Sequence, residues 1–113
     1  MSITTQKTMT LEVDQKRQEA LAEMLAEHGP NYGEQFAPGS FGCHELLDRA
    51  LLAAEFVEET VLSHPACVQN AAWYALAEKA VAALNDLYQQ VGAAHLAEKN
   101  DVESNGEIGR AHV

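Results

Sequence analysis

FGCHELLDRALLAAEFVEETVLSHPACVQNAAWYALAEKAVAALNDLYQQVG, residues 41–92, carries apolar residues at helical spacing on both sides of a proline-marked break. At about 100° per residue, Cys43, Leu46, Leu47, Ala50, Ala53, Ala54, Val57 and Val61 form one broad apolar face. That run begins at Ser40 or Gly42 and ends at His64-Pro65, because a residue before proline is pushed out of the α region. Asn70 is placed to cap the next helix, which runs from Ala71 to Val91 or as far as Ala97. Its apolar set is Trp73, Leu76, Ala77, Ala80, Leu84, Leu87 and Val91, again spaced in threes and fours. A connection as short as 63–70 makes the two helices antiparallel neighbours. The fold class is therefore all-α, an antiparallel helical hairpin over about 42–63 and 71–96.

Upstream, residues 29–42 read GPNYGEQFAPGSFG, with four glycines and two prolines. Such punctuation marks a loop, and Tyr32, Phe36 and Phe41 within it favour a loop that packs down. Val13, Ala20, Leu21, Met24 and Leu25, with Arg17 and His28 on the same stripe, predict an N-terminal amphipathic helix. Thr10 or Asp14 is its cap, and Gly29-Pro30 its stop. Residues 1–10 read as a loose polar arm, 11–97 as a single helical domain and 98–113 as a disordered tail.

The whole chain has 113 residues, 47% of them apolar and only 6% aromatic, with a formal charge of −10. Clustered Lys and Arg are missing, which argues against direct binding of nucleic acid. No run approaches a membrane span and no signal segment opens the chain, so the expected compartment is the cytoplasm. Cys43 and Cys67 sit near opposite ends of one helix and are expected as buried free thiols.

The polar residues support no catalytic reading. His44, Asp48, Glu55 and Glu59 share a stripe at i, i+4 spacing, a pattern that suits divalent transition metals. The stripe points outward and lacks the inward Glu-x-x-His pairs of di-metal bundles, so it reads as a solvated face. Glu55-x-x-Glu58 is half of the acidic motif pair of all-α nucleotide pyrophosphohydrolases, and the second half is missing downstream. Cys43 and His44 are adjacent on a helix and diverge by about 100°, which leaves neither Cys43 nor Ser40 a catalytic partner. His64 belongs to the turn and His95 closes the apolar face at the end of the last helix. No cofactor and no metal is implied.

Arg49 and Lys79 are the only basic residues between Met24 and Ala97. An isolated arginine near a helix start, below a glycine-rich aromatic loop, is what an anion site would use. The candidate ligand-binding set is accordingly Tyr32, Phe36, Ser40, His44, Arg49 and Tyr74. Leu52 and Phe56 lie about 200° from the main face of their helix and form the candidate interface with another copy of the chain.

The stretches FAPGSFGCHELLDR and WYALAEKA…LNDLYQQVG resemble small helical proteins encoded by phages and prophages of proteobacteria, over roughly residues 28–96. In architecture the hairpin is also similar to the helical-hairpin sponges with which phages sequester cyclic-nucleotide immune signals. That likeness implies a non-enzymatic homo-oligomer that holds a small anionic ligand such as a cyclic nucleotide, and it carries over no site residues. The alternative is an acidic inhibitor that mimics nucleic-acid charge and occupies a basic protein. A carboxylate and histidine metal protein is third.

Overall fold

The computed structural model describes residues 3–107, with side chains described from 10 to 98. The described residues are mostly helical and contain no strand, an all-α fold. By internal contacts the chain divides into two units, Met1–Glu34 and Gln35–Val113.

The first unit is dominated by α1, Ile3–His28. Nothing between Ile3 and His28 is glycine or proline, so the helix starts inside the stretch expected to be a loose arm. Gly29 ends it: its φ of +102° is a conformation that side chains with a Cβ rarely adopt, and its N–H still donates to the Leu25 carbonyl at 2.8 Å. The Arg17 Nε donates to Asp14 at 2.8 Å and Gln18 donates to the same carboxylate. The Arg17 hydrogen bond holds the Asp14 carboxyl below its ordinary range. What this pair adds to the helix is present near neutral pH and is lost as pH falls through that lowered value. His28 stacks on Tyr32, with ring centroids 4.1 Å apart.

In the second unit, α2 spans Phe41–Val57 and continues through a π-helical turn, Glu58–Leu62. A one-turn helix, α3, covers Pro65–Val68, and α4 covers Ala71–Glu107. The capping residues explain the boundaries. Ser40 accepts from the Cys43 N–H at 3.1 Å, His64 Nδ1 from Ala66 at 3.1 Å, and Asn70 Oδ1 from Trp73 at 3.1 Å. Helix α4 continues past residue 97, the sequence-predicted end, and no glycine or proline lies between residue 97 and Gly106. Residues 1–2 of the expected arm and 108–113 of the expected tail lie outside the described residues.

Helix α2 packs on α4, and small side chains set the distance between them. Leu47 Cδ1 stands 3.4 Å from where a Cβ on Gly92 would be, and His44 lies beside His95. Farther along α2 and its π turn, Val61 shares a hollow with Leu76 and Ala77. The buried set is Cys43, Ala50, Ala54, Cys67, Ala77, Val81 and His95, with no large apolar side chain in it. Both thiols are free, as expected.

Several sequence-based facings are corrected. Of the residues assigned to the core face of α4, Trp73 and Leu76 are 57% and 65% exposed, and Ala80 and Leu87 are exposed too. The inward line is Ala77, Val81 and His95, with Leu84, Tyr88 and Gly92 partly covered. Leu46 and, beyond Val57, Val61, both assigned to the α2 face, are also exposed. The π turn adds a residue to the helical repeat there, so a register of 100° per residue no longer holds beyond Val57. Leu62, partly covered, takes the position nearer the core.

Candidate functional site

The polar end of the α2–α4 pair is built by three local devices. Gly39, with φ of +89°, lets the chain turn sharply into Ser40. Ser40 caps α2 and fixes the direction of its first turn. One helix turn on, His44 reaches the side of α2 that meets the end of α4, where its ring lies 5.6 Å from that of His95, tilted by 43°. Gly39, Ser40, Phe41, His44 and His95 together line a cavity of about 240 Å³.

His95 holds this end together. It is 4% exposed, and its Nδ1 accepts a hydrogen bond from the Gly39 N–H at 3.0 Å, across 56 positions of sequence. His44 Nε2 faces the Asp48 carboxylate at 3.5 Å, and both side chains are more than half exposed. An exposed pair of this kind adds little to stability.

The six residues predicted to bind a ligand are distributed over separate places. Ser40 and His44 share the cavity just described. Phe36 and Arg49 line another hollow of about 270 Å³, together with Glu45 and Leu46. There Arg49 lies 3.5 Å from Glu45, so the single cation of α2 meets a carboxylate of its own helix. Tyr32 belongs to the first unit and stacks on His28. Tyr74, on the first turn of α4, is 37% exposed and lines none of these hollows. The predicted interface residues Leu52 and Phe56 are 63% and 64% exposed in the single chain.

At the opposite end, Val61, His64, Cys67, Trp73 and Leu76 line an open apolar hollow of about 550 Å³. It lies where the π turn, α3 and the start of α4 meet. Among the described residues no group of three or more His, Cys, Asp or Glu side chains is placed to hold a metal ion. The acidic stripe of α2 brings together only His44 and Asp48.

Sequence reasoning missed His95 as a site residue. Its spacing of four, seven, eleven and fourteen residues from Val91, Tyr88, Leu84 and Val81 was the available signal, since it puts an imidazole on the inward line of α4. No helix among the described residues is long and apolar enough to cross a membrane. Compared with protein-family models, curated proteins and solved structures, the chain finds no match.

Proposed function

We propose that this chain is a non-enzymatic binding protein that works as a homo-oligomer of antiparallel α2–α4 hairpins and sequesters a small anionic ligand. One observation carries the reading. The buried set holds only alanines, cysteines, one valine and one histidine, while Leu52, Phe56, Trp73 and Leu76 are each more than half exposed. Single exposed apolar residues are common on monomers, but so many large ones beside so small a core require a further surface to cover them. The ligand class follows from the polar end, where the α2 N-terminus favours negative charge. A cavity of about 240 Å³ lies below the roughly 300–1,000 Å³ of ordinary ligand pockets. A whole cyclic nucleotide therefore needs surface from a second copy, and phage anti-defence is the setting that the sequence resemblance implies.

The test is the double variant Leu52→Ser with Phe56→Ser, studied by sedimentation velocity and far-UV circular dichroism. A smaller species with unchanged helicity is expected. An unchanged sedimentation coefficient at matched concentration would sink this patch as the interface.

A second reading is favoured by the carboxylates of α2 and its π turn. Glu55, Glu58 and Glu59 are exposed, and none takes part in an ion pair among the described residues. An acidic surface of this kind suits a charge mimic that occupies a basic protein, with binding that weakens as salt is raised.

A further inference from the structure

A side chain lining the cavity at the start of α2 carries a hydrogen-bond donor to which no group among the described residues is bonded. His95 Nδ1 accepts from the Gly39 N–H, and a ring nitrogen that accepts such a bond carries no proton. The neutral imidazole therefore holds its proton on Nε2. Every buried side-chain nitrogen and oxygen among the described residues has a hydrogen-bond partner. Nε2 of His95 has none, and His95 is not among the residues with further contacts, so Nε2 is not closed off. His95 lines the cavity at the start of α2 together with Gly39, Ser40, Phe41 and His44.

We propose that this cavity is an oxyanion site in which the Nε2–H of His95 donates to an oxygen of a phosphate or carboxylate group. The inference rests on the anionic-ligand reading above and gives that ligand its anchoring group. Three features act together: a donor on a residue only 4% exposed, the N-terminus of a 17-residue helix, and a volume suited to one phosphate-sized group. The charged and titratable groups facing His95 are His44 from α2 and, behind His44, Asp48. Asp48 repels an anion, but its carboxylate is more than half exposed and lies beside His44, so solvent screens that repulsion. A metal ion is disfavoured at the same atom, because ligation needs a ring nitrogen free of its proton and Nδ1 is already committed to Gly39.

The experiment uses the full chain with labelled histidines, observed by NMR during separate titrations with inorganic phosphate and with acetate. The expected result is a neutral His95 protonated at Nε2, whose signal shifts saturably with one or both anions. The variant His95→Asn keeps an acceptor near the Nδ1 position for Gly39 but removes the outer donor. It is expected to retain the melting temperature and weaken anion binding at least tenfold. His95→Gln, which restores a donor near the Nε2 position, is expected to recover binding. A His95 signal that does not respond, or equal binding by His95→Asn, overturns the proposal. Should His95→Asn fail to fold, the titration of the unaltered protein decides alone. Saturable shifts confined to other residues would overturn this site while leaving the anionic-ligand reading standing, whereas no response anywhere to either anion would remove both. Sedimentation of the same samples reads the oligomer independently.

Discussion

At one end of the α2–α4 pair, a glycine at φ +89°, a capping serine and a buried histidine tie the loop to the helix end. At the other end, a π turn and a one-turn helix leave Val61, Trp73 and Leu76 facing an open hollow. Between them lies one seam of small residues, Cys43, Ala50, Ala54, Ala77 and Val81. The same two helices thus close through directed hydrogen bonds at one end and leave apolar surface unclosed at the other. Directed bonds fix a geometry suited to recognising a particular group. Open apolar surface supplies association energy and little direction. The difference separates the two proposed activities: holding a small ligand belongs to the tied end, and the open end supplies apolar area for contact with another chain.

Changes along the pair put this contrast at risk. The largest effect is expected in the seam that both ends share. Ala54 is 2% exposed, so Ala54→Asp buries a carboxylate without a partner. A loss of more than about 4 kcal/mol and of the cooperative melt is expected. A melt within a few degrees of the parent would mean that the seam does not hold the pair together.

The tied end is tested by Gly42→Ala. A Cβ at Gly42 would collide with the Phe36 ring and the Gln35 carbonyl, and a backbone carbonyl cannot step aside as a flexible side chain can. A destabilisation of about 1–3 kcal/mol is expected by urea titration, together with displaced amide signals from the 36–44 segment. No change in either would show that this end is as loose as the other.

The smallest effect has the opposite sign. Gly92 lies within α4 and its added Cβ would meet only Leu47, at 3.4 Å. Gly92→Ala is expected to stabilise by about 0.5–1 kcal/mol, because alanine loses less backbone freedom in a helix than glycine does. Destabilisation in thermal melts would indicate that Leu47 cannot give way and that the seam is tighter than its contacts imply.

Local signals were the legible part of the chain. Ser40 and Asn70 were readable as caps and His64-Pro65 as a stop, since each acts through bonds or clashes within a few residues. The helix ends were read too short where polar residues were taken for loose chain. Polar residues without glycine or proline do not stop a helix, and α1 and α4 extend into both stretches. The π turn had no local marker, so Val61 was assigned to a face from which the turn rotates it. Trp73 was assigned to the core by its spacing from Leu76 and Ala77, yet the buried seam of α4 takes Ala77 and Val81 instead.

The candidate site followed the same division. Ser40 and His44 were singled out from one helix start, and the structure brings them together. Tyr32, Phe36, Arg49 and Tyr74 were grouped with them by loop composition and charge, properties that specify no distance. His95 could not be joined to Gly39 from the chain alone, because 56 residues separate them and only the packing of α4 on α2 brings them within hydrogen-bond reach.

By itself, then, the sequence determined that the chain is all-α and where α2 and α4 begin. Those properties depend on residue type and on neighbours within one or two helical turns. Tertiary structure alone decided that Trp73, Leu76 and Val61 stay outside, that His95 meets Gly39, and hence which of its nitrogens carries the proton. Each of these depends on a second element arriving at a particular distance, and spacing along a single helix contains no information about that distance.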